Sequence, residues 1–360
     1  MKNQNRNKRK ILLIGPRIKN GEPFGGTKVS FENQIKYFSS YKEYKVDILD
    51  ISRPIENKSL PYKIYLNIIK FGGLISKIIF SQKKYDITII NISATAALNA
   101  GAILYILLRN KSKILLYRYF GGDFDYIYQN LNPISKFVIR STTFKSNLVL
   151  LQTKKLANKY IHLGETFWYP TTRDIYPIED NKKKTRSKII YVGHINSDKG
   201  IDKLIELATF LPDFDFEIYG LLVDLKYEKL FKSMSNVDYL GIVDSSKIPY
   251  ILSSSDFLIL PSKRVAEGYP GVIIEAFQCN IPVIVSKLPS LIELVDSGVD
   301  GLVYDMSDLR SISDDVKYYM QNLEEYSKLK NGASIKGNMF RTTEVNDRLI
   351  NQIDLLLQKL

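Results

Sequence analysis

The stretch DFLILPSKRVAEGYPGVIIEAF, residues 256–277, decides how the chain is read. Phe257 to Leu260 form a short apolar run of the kind that fills a buried parallel strand. Ser262 to Tyr269 are mostly polar and suit a loop. Pro270 then stands where a helix can begin, because the first turn has no use for the N–H that proline lacks. Strand, loop and helix in that order are half of a βαβ unit, and βαβ units imply a parallel sheet. One residue breaks the apolar run of the helix: Glu275, between Ile274 and Ala276. A buried carboxylate without donors is costly or takes up a proton, so something must supply donors to it.

The same alternation extends along the chain in both directions. Strands are predicted at 10–15, 44–50, 86–92, 113–119 and 148–153, and after a break at 188–193, 215–220, 237–241, 256–261 and 281–286. Helical patterns lie between them, among them 28–40, 202–211, 245–255 and 289–298. Two such sets imply an α/β chain of two doubly wound domains. Residues 169–187, rich in proline, threonine and charge, mark the boundary. The expected domains are 1–178, joined by a C-terminal helix over 340–360, and 186–339. Leu349, Ile350, Ile353, Leu356 and Leu357 give that last helix one apolar side.

At 360 residues, with 45% apolar and 25% charged residues, the chain has the composition of an ordinary globular protein. A single cysteine, Cys279, excludes an intramolecular disulfide and a cysteine-rich metal site. The apolar run behind the basic N-terminus is too short for a signal peptide. The longest apolar stretch, 94–108, is interrupted by Asn99 and falls short of the roughly 20 residues that span a bilayer. A cytoplasmic protein is expected. The net charge of +13 is uneven: residues 1–180 hold 29 Lys and Arg against 13 Asp and Glu, the remainder 22 against 25. A basic half of +16 suggests an anionic partner, such as a phosphorylated substrate or an anionic membrane surface, unless it is only solubilising lysine. No nucleic-acid-binding signature accompanies it, so nucleic acid is not expected as a partner. The aromatic and basic stretch 61–80 reads either as a membrane-docking surface or as core-facing helix.

Neither a dinucleotide fingerprint after the first strand nor a Walker A pattern is present. Gly25 and Gly26 instead open a helix some ten residues past that strand, where backbone amides can face an anion, although a plain turn would use them equally. In YVGHINSDKGIDKLIE, residues 191–206, a strand ends at Gly193 with His194 beside it, and Lys199 precedes a helix. Lys199 there suits a phosphate as a point charge, or else lies in solvent. His194 suits the same site, or a local hydrogen bond. The amides of Gly271, Val272 and Ile273 are expected to point out of their helix start toward an anion. Glu275 would find its donors in the two hydroxyls of a ribose.

EGYPGVIIEAF resembles the E-x7-E motif of family 4 retaining glycosyltransferases, with Glu267 and Glu275 as its glutamates. GHINSDKG is similar to that family's G-R-x-x-x-x-K-G, and PFGGTKV to its N-terminal Gly-Gly loop. The resemblance implies a GT-B fold, two Rossmann-like domains facing a cleft, with a nucleotide-diphosphate sugar held by the second. It assigns Glu275 to the donor ribose and Glu267 to the transferred sugar. The amides from Tyr269 through Gly271 to Val272 approach sugar and diphosphate, and Lys199 neutralises the departing diphosphate. No cofactor and no metal are expected. Two departures stand out: His194 replaces the usual arginine, and a histidine of the first domain is missing. Near the latter's place, in YRYFGGDFDY (117–126), Asp123 is the candidate for touching donor or acceptor, the alternative being a helix cap after a Gly-Gly turn. The implied acceptor is a glycan or a lipid-pyrophosphate-linked sugar in surface-polysaccharide synthesis, with the protein peripheral on the inner face of the membrane. A nucleotide-sugar epimerase and a non-catalytic nucleotide- or nucleic-acid-binding protein are the alternatives.

Overall fold

Strand and helix alternate along the chain because the apolar runs are too short for anything but buried strands, and the stretches between them carry one apolar face each. The computed structural model describes residues 8–18, 26–52, 60–177, 186–265 and 267–359. Its described residues form two units: one runs to Pro170 and resumes at Thr342, and the other is Thr171–Arg341. The chain passes from one to the other inside the stretch 169–187, and residues 171–177 belong with the second unit.

The first unit holds β1 (Arg9–Gly15), β2 (Tyr44–Asp50), β3 (Tyr85–Ser93), β4 (Ser112–Phe120), β5 (Leu148–Leu151) and β6 (Thr166–Trp168), in the order β2-β1-β3-β4-β5-β6. All pairs are parallel; Leu13 of β1, for example, is level with Ile48 and Ile89. One face is covered by helices that bury Leu74, Ile78, Leu104 and Leu108. The other is covered by the helices Gly26–Ser40 and Thr342–Leu357, with Phe31, Phe38, Leu349 and Ile353 in the core.

The second unit holds β7 (Ser187–Val192), β8 (Phe214–Tyr219), β9 (Val237–Gly241), β10 (Phe257–Leu260), β11 (Val283–Ser286) and β12 (Gly301–Tyr304), in the order β12-β11-β10-β7-β8-β9. This is the doubly wound order of nucleotide-binding sheets, in which the winding reverses between β7 and β10. Ten of the twelve strands lie where the alternation predicts them. The two that were not predicted, β6 and β12, are edge strands of three and four residues whose sequences, TFW and GLVY, lack the continuous apolar run that marks the equally short β5, β10 and β11.

Helix Leu60–Phe80 answers the question posed by residues 61–80 with a single amphipathic element. Leu74 and Ile78 face the core, whereas Tyr65, Ile68, Ile69 and Phe80 are exposed on the other side. Among the described residues no helix is long and apolar enough to cross a membrane.

Candidate active site

The point where a doubly wound sheet reverses its winding leaves a crevice at the carboxyl ends of two neighbouring strands. In the second unit those strands are β7 and β10, and the loops that follow them are fastened together. The Lys263 amide donates to the Asp198 carbonyl at 2.9 Å. The Lys263 ammonium meets Asp202 at 2.5 Å. Asn196 caps the short turn Ser197–Lys199 by accepting from the Lys199 amide at 3.0 Å. Gly200 then takes φ +73°, and a Cβ there would stand 1.9 Å from the Pro261 carbonyl oxygen. Only glycine permits the two loops to approach this closely.

The approach delivers Lys199 to Glu267. The ammonium lies 2.9 Å from Oε1 and 2.7 Å from Oε2, and the buried Ser262 hydroxyl donates to Oε2 at 2.8 Å. Both side chains are largely buried, at 18% and 11% exposure. Glu267 also adds to the effect of burial in holding the Tyr191 hydroxyl well above the usual tyrosine range. That hydroxyl remains a donor and bonds the His194 carbonyl at 2.7 Å. The pair therefore offers a cation and an anion on adjacent loops, each with its neighbours fixed.

Helix Gly271–Gln278 starts ten residues past β10, behind Pro270. Among the described residues no acceptor meets the amides of Gly271 and Val272, so the helix start presents two donors and the positive end of its dipole. Ile273 departs from expectation. Its amide turns back to the Pro270 carbonyl at 3.2 Å and is not available to a ligand. Glu275 does have a donor inside the protein: Arg173 Nε lies 2.6 Å from its Oε1, with the guanidinium buried.

The structure thus brings Lys199 and Glu267 into contact and sets Glu275, Gly271 and Val272 on the helix that follows Glu267. Tyr269 lies in the interior. Its hydroxyl donates to Glu293 at 2.5 Å and its carbonyl accepts from Thr171 at 3.2 Å, which fixes the backbone whose amide the resemblance assigns to the donor. His194 is exposed, and its imidazole makes no hydrogen bond among the described residues. Gly26 is the exposed first residue of its helix in the first unit, and Gly25 lies outside the described residues. Asp123 occupies the N-cap position of helix Phe124–Gln129, directly past the carboxyl end of β4, after a Gly121 with φ +88°. Its side chain makes no capping hydrogen bond. Arg173, Ser262 and Tyr191 were not singled out from sequence. Arg173 sits in a charged, proline-flanked linker, and nothing local ties it to a carboxylate 102 positions away.

Residues 172–335 match the family model for glycosyl transferases group 1. The uncharacterized 41.2 kDa protein in the cps region of Klebsiella pneumoniae is 29% identical over 136 residues, 37% of this chain and 37% of that protein. The UDP-Gal:alpha-D-GlcNAc-diphosphoundecaprenol alpha-1,3-galactosyltransferase of Escherichia coli is 29% identical over 161 residues, 42% of this chain and 40% of that one. The alignments span well under half of these relatives. The crystal structure of Anabaena HepE in complex with UDP-glucose superposes with a TM-score of 0.68 at 18% identity, covering 98% of this chain and 100% of that one. At that identity the likeness speaks for the fold: an α/β chain of the GT-B class with two Rossmann-like units.

Proposed function

We propose that the chain is a metal-independent retaining glycosyltransferase, moving a sugar from a nucleotide-diphosphate sugar to a hydroxyl of a glycan or lipid-linked acceptor during surface-polysaccharide assembly. The observation that carries this reading is the Lys199–Glu267 pair at the winding reversal of the second sheet, followed by a helix start with two amides that meet no acceptor among the described residues, and by Glu275. The group 1 family match covers the same residues, and among the relatives one is named for a cps region and another for a diphosphoundecaprenol-linked sugar acceptor.

Lys199 and the amides of Gly271 and Val272 stabilise the negative charge that collects on the departing diphosphate, which is electrostatic catalysis by groups fixed in advance. Glu267 holds the hydroxyls of the transferred sugar and Glu275 those of the ribose. The acceptor oxygen bonds to the anomeric carbon on the face from which the diphosphate leaves. The bond to the diphosphate oxygen breaks, that oxygen takes the acceptor's proton, and configuration is retained. Orientation and charge do the work, with no protein nucleophile.

The basic first unit is assigned to the acceptor and to an anionic membrane on the inner face of the cell. A groove of about 800 Å³ at the amino ends of its strands is lined by Lys8, Arg9, Lys10, Lys84, Lys111 and Lys113. Lys111 donates to the Ser81 carbonyl at 2.6 Å, which ties the groove to the end of helix Leu60–Phe80 and its exposed Phe80. This arrangement of cations beside exposed apolar side chains suits an anionic bilayer.

A panel of UDP-, GDP-, ADP- and dTDP-sugars, with thermal shift, hydrolysis and transfer read in parallel and with chelator present, tests the proposal. One donor should stabilise the protein and transfer to acceptor with an NMR-retained anomeric configuration. An inverted product overturns the retaining step, loss of activity with chelator overturns metal independence, and release of a free epimerised sugar points to an epimerase instead.

A further inference from the structure

We infer that Arg173 is a positioning residue for the donor, holding the Glu275 carboxylate so that its other oxygen meets the nucleoside ribose. The inference rests on the reading of Glu275 as the ribose ligand.

Three observations support it. The first is the form of the contact: a single bond from Nε to Oε1 at 2.6 Å, with no donor on Oε2 among the described residues. A stabilising fork would use both oxygens, whereas this contact sets the plane of the carboxylate and leaves half of it to a ligand. Side-chain exposures of 6% for Arg173 and 16% for Glu275 put the remaining opening on the glutamate side. A buried pair of this kind is weak evidence for stability, since apolar replacements often do as well.

The second is that the guanidinium cannot readily turn. Its NH1 donates to the Thr172 carbonyl at 2.8 Å. The Arg173 amide donates to the Phe340 carbonyl at 3.1 Å, and the Arg173 carbonyl accepts from Gln278 Nε2 at 2.7 Å. Gln278 Oε1 also accepts the Ile175 amide at 2.9 Å. Segment 173–175 is therefore fastened through Gln278 to the helix that carries Glu275, and the Arg173 amide is held separately by Phe340.

The third is Gly271. A Cβ at that position would stand 2.0 Å from Arg173 NH2 and 2.6 Å from its Cζ. The helix start is shaped to admit the guanidinium, and its backbone conformation gives no other reason for glycine, since Gly271 is not among the residues with positive φ.

The test measures how strongly the protein distinguishes ribose from its dideoxy form. UDP, GDP and ADP are titrated calorimetrically, each against its 2′,3′-dideoxy counterpart, and the pair with the tightest ribonucleotide is carried forward. Loss of hydrogen bonds to a charged group should weaken the dideoxy form about tenfold or more in the wild type. If wild type shows no discrimination, or if Glu275→Gln retains it, the reading of Glu275 itself fails. If Glu275→Gln abolishes it, Arg173→Met should abolish it too, Arg173→Lys should recover part of it, and the double variant should lose no more than Glu275→Gln alone. General damage weakens both nucleotides equally and leaves the ratio unchanged, so the ratio separates positioning from folding. Should Arg173→Met not fold, Arg173→Lys, which keeps a cation beside Glu275, still gives the ratio. Wild-type discrimination in Arg173→Met or Arg173→Lys overturns the inference while leaving Glu275 in place.

Discussion

The Lys199 ammonium bridges both oxygens of Glu267 across 68 residues of chain, and in the absence of ligand the two charges satisfy each other. A diphosphate arriving at the helix start adds negative charge beside a cation already held in place. Lys199→Ala should lower kcat by about 100- to 1000-fold, as for loss of a single oxyanion donor. It should also strand a buried carboxylate and cost about 3–5 kcal/mol of stability. The double variant Lys199→Met/Glu267→Gln should regain most of the melting temperature and none of the turnover. Steady-state assays and thermal melts on the three proteins check this; equal losses of stability and activity recovered together would make the pair merely structural.

Glu275 and Gly271 should fail in the same way as each other and differently from Glu267. Glu275→Gln keeps the shape of the carboxylate and loses its charge, and Gly271→Ala drives a methyl into the guanidinium that holds it. Both should raise the donor KM about tenfold, with kcat within about threefold, because the ribose is bound alike in ground and transition states. Glu267→Ala should chiefly lower kcat. If Gly271→Ala changes kcat alone, the helix start matters through its amides and Arg173 is not involved.

The contrast between those residues also shows what the chain discloses by itself. Glu267 is marked only by the resemblance to the E-x7-E motif, whereas Gly271 and Glu275 are legible because the strand end, the loop and the first helical turns are contiguous, so spacing puts them near one crevice. Lys199 is legible for the same reason on β7. Arg173 and Ser262 are not: a buried arginine in a linker reads as solvated charge until its partner is seen, and a serine after a strand reads as loop. Ile273 shows the reverse error. Its amide was counted among the free donors of the helix start, but the tight turn at Pro270 uses it. In the first unit the core is equally deceptive. Arg118 in the apolar strand β4 is 2% exposed and lies between the rings of Phe120 and Tyr169, with its Cζ 4.7 and 4.4 Å from their centroids, where strand alternation foretells no cation.

Acid should weaken the first unit through three aspartates on its sheet. Burial by itself raises the carboxyls of Asp47, Asp50 and Asp86. It is outweighed by Lys83 and Tyr85 at Asp47, by Ser52, Arg17 and Lys70 at Asp50, and by Lys113 and the Lys10 amide at Asp86, so all three lie below the ordinary range. The folded state therefore binds fewer protons than the unfolded one, whose aspartates titrate near about 3.9. Their stabilisation is complete above that value and lost as pH falls through the lowered folded values. Urea melts at pH 6, 4 and 3 should show a steep decline below about pH 4 in wild type and a shallower one in Asp50→Asn, which starts from a lower stability. A variant with the wild-type slope would place the proton uptake elsewhere.

The membrane assignment makes its own demand on the groove at the amino ends of the first sheet. Arg9 and Lys113 are already paired, with Asp354 at 2.5 Å and Asp86 at 2.7 Å. Lys8, Lys10 and Lys84 pair with no carboxylate among the described residues, and the Lys111 ammonium is taken up by the Ile78 and Ser81 carbonyls, so the groove's attraction for anions falls chiefly to those three. Phe80, at 83% exposure beside the exposed Ile79, supplies apolar area that no charge argument covers. At about 1 kcal/mol per lysine near an anionic surface, replacing all three by glutamine should weaken binding to phosphatidylglycerol-containing vesicles about 100-fold and leave neutral vesicles unaffected. Phe80→Ser should weaken binding to both. Raising salt should mimic the triple variant and not the Phe80 variant, because screening acts on charge alone. Turnover with a soluble acceptor should survive in each case. Vesicle binding that persists through all of these changes would move the docking surface away from this end of the sheet, and full activity on a lipid-linked acceptor without vesicle binding would make the basic groove irrelevant to the reaction.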